Sequence, residues 1–309
     1  MNLIAIKDVY RTHPIPPEFV IVDWEDIESR ESADIYIQAN IAENKHKKLR
    51  HKYEYIRTSA KPWIVVESAV FRRNMYQPPN PKAYHRFSWF SYFRDEGLYN
   101  NINRPSDRWD QIQRDQNIQI KDWRSDGEYI LVLLQRPGDS SLKNLLARYG
   151  TYEVFLASVI EEIRKHTNRP IRIRMHPLRQ DKQLTIIENL NLSGIELSPN
   201  TQGAELLEGG DGLYEDFKNA WAVVGFNSNA LTESVCEGVP TFSLCPSSMA
   251  WECSNTDLKN IDNPQFFDRQ QWLYNLGYCQ WREDEIAQSA PLHHLMEIYN
   301  QAKMYIQNA

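Results

Sequence analysis

Short apolar runs alternate with polar turns and amphipathic stretches along the chain, and the runs are of strand length. In the first half they predict strands over Leu3 to Ile6, Phe19 to Asp23, Ile35 to Gln38 and Pro62 to Glu67, with a charged helix over Glu43 to Arg57. The second half reads as strands over Tyr129 to Gln135, Arg172 to His176, Ile195 to Leu197, Ala222 to Phe226 and Thr241 to Leu244. Helices are expected over Tyr152 to His166, Leu213 to Asn219 and the stretch carrying Ala230, Leu231, Val235 and Cys236. Alternation of this kind implies parallel sheets with helices on their faces. Further helices are expected over Asp268 to Tyr278, Arg282 to Gln288 and Leu292 to Gln307. Between Phe71 and Trp123 the periodicity fades, and this aromatic, Asn-rich stretch is expected to form long loops on an acceptor-facing surface. Its density of Trp, Tyr and Phe argues against disorder.

The most informative stretch is Val223 to Pro240, VVGFNSNALTESVCEGVP: strand, polar turn, short helix, stop. A helix start leaves backbone N-H groups unpaired and carries partial positive charge, so Asn227, Ser228 and Asn229 sit where a phosphate could rest. A plain N-cap is the competing reading. Glu233, one turn further in, could accept both hydroxyls of a ribose, and Gly238 and Pro240 would end the helix and open the next strand. The other strand ends are polar as well: Gln135-Arg136, His176-Pro177 and Cys245-Pro246. In open α/β sheets ligands gather beyond the carboxyl ends of strands, so these tips are expected to converge on a donor site of Gln135, Arg136, Arg174, His176, Asn227, Ser228, Asn229 and Glu233. Arg suits bidentate contact with phosphate oxygens, and Gln135 with Arg136 could hold a diphosphate or a sugar. Against each stands a blander fate: a surface Arg in a turn, or a His hydrogen-bonded beside Pro177.

The 309 residues, 41% hydrophobic and 12% aromatic, suffice for two α/β domains. Net charge of −6 argues against an obligate nucleic-acid protein, but the charge is uneven. Residues 1–125 hold 20 basic against 17 acidic side chains, and residues 126–309 hold 15 against 24, so a phosphate-bearing acceptor would meet the first half. The densest basic run, KHKKLRHK, contributes Lys45, Lys47 and Lys48, and Arg72, Arg73, Arg86 and Arg94 lie among aromatics. These are the candidate acceptor or DNA contacts, although a charge run is commonly a solvated helix face. Glu67, at a strand end, is the candidate catalytic base, with Asp95 and Asp23 as rivals and a structural pairing with Arg72 or Arg73 as the alternative. Four cysteines without C-x-x-C spacing predict no zinc site and no disulfide framework, but buried or idle thiols. No long apolar run or leader-like N-terminus is present in the sequence, so a cytoplasmic protein without a membrane span is expected.

The small-polar turn followed by Glu-x4-Gly-x-Pro resembles the donor-site signature of GT-B glycosyltransferases, which read Glu233, Gly238 and Pro240 in this order. Further blocks strengthen the likeness: NRPSDRW at 103–109, Trp123-Arg124 before Gly127, ILVLLQR with Ser140-Ser141, TNRPIRIRMHP at 167–177 and DRQQWLYNLGYCQW at 268–281. Together, from Trp63 to Trp281, they resemble glycosyltransferase-like proteins of T-even-like bacteriophages, including enzymes that add a sugar to hydroxymethylcytosine in phage DNA. The chain is more distantly similar to capsule Kdo-transferase-type proteins. The turn PGDSSL after Arg136 and Cys245-Pro246-Ser247-Ser248 depart from the pattern, so acceptor or sugar could differ.

The resemblance implies two Rossmann-like domains facing a cleft. An acceptor domain would span residues 1–125, a nucleotide-sugar domain 126–285, and a helical segment 286–309 would brace the first. It also implies a metal-independent, inverting transferase with no cofactor beyond its nucleotide-sugar co-substrate. The donor would be a UDP-sugar carrying arabinose or glucose, and the partner duplex DNA with a hydroxymethylated pyrimidine, in the cytoplasm of an infected host cell. A surface-glycan transferase and a non-catalytic nucleotide-sugar-binding module remain the alternatives.

Overall fold

A computed structural model describes residues 1–10, 12–39, 47–71, 80–199 and 212–307. The chain divides into one unit made of Met1–Gln116 with Gln270–Ala309 and another made of Asn117–Arg269. In the first unit the order is β1 (Leu3–Ile6), β2 (Val20–Val22), α1 (Ile27–Glu31), β3 (Ile35–Ala39), α2 (Arg50–Thr58), β4 (Trp63–Ser68), β5 (Tyr84–Trp89) and α3 (Asp107–Gln116). The second unit runs β6 (Tyr129–Leu133), α4 (Lys143–Tyr149), α5 (Tyr152–His166), β7 (Ile171–Arg174), α6 (Gln180–Leu190), β8 (Ile195–Leu197), α7 (Gly212–Lys218), β9 (Ala220–Gly225), α8 (Ala230–Cys236) and β10 (Thr241–Ser243). The chain then returns to the first unit with α9 (Gln270–Gly277), β11 (Gln280–Arg282), α10 (Glu283–Ala287), α11 (Ala290–Met296) and α12 (Tyr299–Gln307).

The first unit's sheet has the order β11-β5-β4-β3-β1-β2. Strands β1 to β4 are parallel, and β5 runs antiparallel between β4 and β11. Alternate residues separate two cores. Leu3, Ala5, Ile37, Val66, Phe87 and Trp281 face the C-terminal helices, while Ile4, Ile6 and Tyr36 pack with Tyr53 and Ile56 of α2. The second unit's sheet, β10-β9-β6-β7-β8, is parallel throughout. Its longest helix, α5, begins at Thr151, whose side chain accepts from the Val154 N-H, and buries Phe155, Leu156, Val159, Ile160 and Ile163. That spacing is one helical face, and it packs on Ile130, Val132, Ile171 and Ile173 of the strands.

The loop expectation for residues 71–123 is corrected, because this stretch holds β5 and α3. All six residues of β5 are buried, which removes the two-residue alternation that marks a half-exposed strand. Its partner β11 comes far later in the chain. That pairing also places residues 270–285 with the first unit, so the second ends at Arg269 rather than near residue 285. Of the helix expected over Glu43 to Arg57, residues 43–46 lie outside the described residues and the rest is a 3-10 turn at Lys47–Leu49 leading into α2, and Leu292 to Gln307 forms two helices rather than one. No helix among the described residues is long and apolar enough to cross a membrane.

Candidate functional site

The parallel sheet of the second unit turns back on itself at β6. From β6 the chain moves outward through β7 to β8, then crosses to the other side of β6 for β9 and β10. The gap between the carboxyl ends of β6 and β9 is therefore a topological switch point, the place where such sheets take ligands. Two amides meet there. Gln135 Nε2 donates to Asn227 Oδ1 at 2.8 Å and to Ser141 Oγ at 3.2 Å, while its Oε1 accepts from the Asn227 backbone N-H at 3.2 Å. Asn227 Nδ2 in turn donates to the Ser141 carbonyl at 2.9 Å. Both side chains are buried, and together they tie the loop after β6 to the turn before α8. Nearby, Asn144 Nδ2 donates to Ser247 Oγ at 2.8 Å, which links α4 to the loop after β10.

The structure thus brings Gln135 and Asn227 into direct contact, but as braces. Ser228 Oγ accepts from the Ala230 N-H at 3.2 Å, and Asn229 stands half-buried at the start of α8 without a side-chain cap bond. The buried carboxylate of Glu233 accepts from the Tyr214 hydroxyl at 2.9 Å. No local spacing announced Tyr214, which lies 19 residues earlier on α7. His176 is half-buried; its Nδ1 accepts from the Leu178 N-H at 3.0 Å, and its own N-H donates to Gln183 Oε1 at 2.7 Å.

The two arginines have different situations. Arg136 pairs with Asp139 at 2.8 Å, with both side chains about a quarter exposed. Such pairs contribute about 0–1 kcal/mol, so a phosphate can compete for this guanidinium. Arg174 instead donates to Asp216, whose side chain is 0% exposed, and to the Gly212 carbonyl at 3.0 Å. Ser198 Oγ donates to the same carboxylate at 2.7 Å. Releasing Arg174 to a ligand would take the charged partner from a buried carboxylate, which costs several kcal/mol. Its expected place among the donor contacts is accordingly corrected to a structural one, and sequence spacing carried no sign of Asp216 as its partner.

In the first unit, Glu67 lies at the carboxyl end of β4 at 8% exposure, with Oε1 accepting from the Ser68 N-H at 2.9 Å. Its Oε2 is buried without a hydrogen-bond partner. Of its rivals, Asp23 pairs with Lys7 at 3.1 Å and Asp95 is exposed. Among the expected acceptor contacts, Lys48 is exposed. Lys45, Arg72 and Arg73 lie outside the described residues, as does the side chain of Lys47. Arg86 is corrected: it is 5% exposed, opposite Glu67 on β5, and Nη1 donates to the Tyr92 carbonyl at 3.2 Å. A guanidinium held inside the sheet layer is not part of an exposed basic face. The four cysteines are buried and form no disulfide, and burial pushes the Cys253 and Cys279 thiols up to about 12, which leaves those two unreactive.

No protein-family model and no curated protein matches the chain. Solved structures do. A Thermosulfurimonas dismutans KpsC, beta Kdo 2,4 transferase, aligns at a TM-score of 0.56 and 12% identity over 91% of this chain and 92% of its own. A second one, KpsC, beta Kdo 2,7 transferase, aligns at 0.55 and 13% over 92% of this chain and 97% of its own. At such identity the likeness is one of fold, and it extends over nearly the whole of each chain.

Proposed function

We propose that the chain is a nucleotide-sugar-dependent glycosyltransferase of GT-B type, with its donor at the β6–β9 switch point of the second unit. The observation that carries this reading is the Gln135–Asn227 amide pair, which draws the strand-end loops together where an α/β sheet takes a nucleotide. The shared fold with two Kdo transferases supports it. In this reading Glu233, steadied by Tyr214, accepts the ribose hydroxyls, and Arg136 leaves Asp139 to meet the phosphates. Ser228 and Asn229 contribute from the turn. The acceptor oxygen attacks the anomeric carbon as the bond from that carbon to the phosphate oxygen breaks, and the nucleotide departs with the electron pair. A base takes the acceptor's proton, and Glu67 is the sequence-derived candidate. The reading requires no metal, because cationic side chains can stabilise the leaving phosphate.

The acceptor we favour is a hydroxymethylated pyrimidine in duplex DNA. Its support is the set of sequence blocks and the exposed Lys48 and Arg50 of the basic run. A second reading takes a Kdo sugar from the names of the fold neighbours and pairs it with the surface-glycan acceptor that the sequence left as an alternative. Mass spectrometry of nucleosides after incubation with hydroxymethylated DNA and a pool of nucleotide-sugars separates them. A sugar-sized mass increment on hydroxymethylcytosine supports DNA. No increment, with UDP, GDP or CMP still raising the melting point, favours the glycan; no shift with any nucleotide removes the transferase reading.

A further inference from the structure

The first unit's sheet has a switch point of its own. From β1 the chain steps outward to β2, then crosses to the other side of β1 for β3 and continues to β4. The carboxyl ends of β1 and β3 therefore frame a second place where an α/β sheet takes ligands. Gln38 lies there, one residue before the end of β3 and one past the pairing of Ala5 with Ile37. Glu67 lies one residue before the end of the next strand, β4. Ile37, Ala39, Ile64 and Val66 belong to the core under the C-terminal helices, so Gln38 and Glu67, which alternate with them, share the opposite face of the sheet. Gln38 pairs with Val65, two residues short of Glu67. Strand spacing of about 4.8 Å and a rise of about 3.3 Å per residue put the two Cα atoms about 8 Å apart.

Both side chains are buried and incompletely bonded. Gln38 is 0% exposed, and neither its amide oxygen nor its amide nitrogen has a hydrogen-bond partner. Glu67 is 8% exposed; the Ser68 N-H donates to Oε1, and Oε2 has no partner. Arg86, opposite Glu67 on β5, turns Nη1 to the Tyr92 carbonyl. Buried polar groups are nearly always bonded, so two neighbouring side chains that are not, at the ligand-taking edge of a sheet, call for a partner from outside the chain. Their chemistry defines that partner. The carboxylate oxygen and the amide oxygen accept and the amide nitrogen donates, so the ligand must bring two donors and an acceptor along one edge. The pairing edge of cytosine does so, with the two N4 hydrogens and the N3 lone pair.

We propose that Gln38 and Glu67 are the base-reading residues of the first unit and select an aminopyrimidine over its oxo counterpart. The proposal deepens the DNA reading and rests on it. One N4 hydrogen goes to Glu67 Oε2 and the other to the Gln38 amide oxygen, while the Gln38 amide nitrogen donates to N3. In hydroxymethyluracil a carbonyl replaces the amino group, so O4 faces the carboxylate and leaves Oε2 without a donor. A base paired inside a duplex cannot offer this edge, so it enters turned out of the stack. Since Gln38 is fully buried, entry has to open this edge of the sheet, and association is expected to be slower than for a surface contact. Groups left unbonded in the free protein are the stability that such a site gives up for recognition.

Calorimetric titration of the full chain with two single-stranded oligonucleotides tests this, one carrying 5-hydroxymethylcytosine and the other 5-hydroxymethyluracil at the same position. The two share a backbone, so the ratio of affinities isolates the base. The first is expected to bind about 10-fold or more tighter. Gln38→Met, which should fold at least as stably as the wild type, is expected to bind both alike, and Glu67→Leu to lose most of the preference. Equal affinity of the wild type for the two overturns the proposal and leaves the DNA reading standing, as does a preference that survives Gln38→Met. Binding of neither overturns it together with the DNA reading. A melting-point rise with a panel of saccharides would then assign the pair to a sugar's adjacent hydroxyls, the other chemistry that combines two donors with an acceptor.

Discussion

Replacing Arg174 with methionine tests whether this residue serves the fold or the ligand. Arg174 and Asp216 are 9% and 0% exposed, and the carboxylate has Ser198 Oγ as its other described hydrogen-bond donor. Arg174→Met takes the charged partner away from a carboxylate held in the interior. Breaking a buried pair in this way costs about 3–5 kcal/mol. With a urea dependence of about 1–3 kcal/mol per molar, the unfolding midpoint of the second unit should fall by about 1 M or more. Removing both partners, Arg174→Met with Asp216→Leu, should recover most of that loss, because an apolar pair of similar volume carries no desolvation cost. Urea titrations followed by circular dichroism on the wild type, both single variants and the double variant give the coupling directly. The reasoning fails if Arg174→Met keeps the wild-type midpoint yet loses nucleotide binding, for then the guanidinium belongs to the donor after all.

Arg136→Ala should shift stability by less than about 1 kcal/mol, since its pair with Asp139 is partly exposed, while weakening the melting-point rise given by nucleotide. Gly238→Ala should destabilise by more than about 2 kcal/mol, because φ is +72° and an added Cβ would stand 2.0 Å from the Asp122 carbonyl oxygen; retained stability in a thermal melt would contradict this. Gln38→Met should stabilise by about 1–2 kcal/mol, since both amide atoms of this fully buried side chain lack partners, and a lower midpoint in urea would show that the amide is satisfied in solution. Burial lowers both His85 and His294 to about 4, so the unfolded chain takes up their protons first on acidification. Their contribution is full above about pH 6.5 and is lost as pH falls from there toward 4, so denaturation midpoints measured across that window should drop on acidification, and a flat profile would count against buried neutral rings.

The parts of the chain that were legible in sequence are those whose partners are close. The helix Tyr152–His166 announced itself by a cap and one apolar face, and the parallel strands of the second unit by their unbroken apolar runs. The turn at Asn227 was legible as a turn because strand, polar turn and helix follow one another directly. Hidden features depended on distant residues. The strand Tyr84–Trp89 is defined by β11, nearly two hundred residues later, and its burial on both faces erases the alternation that would have marked it. The role of Arg174 is set by Asp216, 42 residues away, and that of Glu233 by Tyr214. Sequence spacing offers types of side chain, whereas these assignments turned on which of them had already been claimed by a neighbour.

The Glu-x4-Gly-x-Pro stretch shows what such a signature can specify physically. Gly238 has a left-handed backbone, and the space a side chain would fill is occupied by the Asp122 carbonyl. Around it the end of α8 receives two chain segments: from one, the Lys121 N-H donates to the Cys236 carbonyl at 2.9 Å and the Arg124 N-H to the Gly238 carbonyl at 2.8 Å, and from the other, Arg269 Nη1 donates to the Val235 carbonyl at 2.6 Å. Arg269 also donates to the Lys121 carbonyl at 2.7 Å and lies over the Trp123 ring, 4.3 Å from its centre, with Phe266 parallel to that ring at 5.8 Å. Residues 121–124 follow the point where the chain enters the second unit, and Arg269 is where it leaves. One short helix therefore carries Glu233 on one turn and fastens both crossing segments at its other end. The glycine is required for that junction rather than for contact with a ligand, so its substitution should act on stability first and on nucleotide binding only through it. Glu233→Gln, which leaves the junction untouched, should do the reverse.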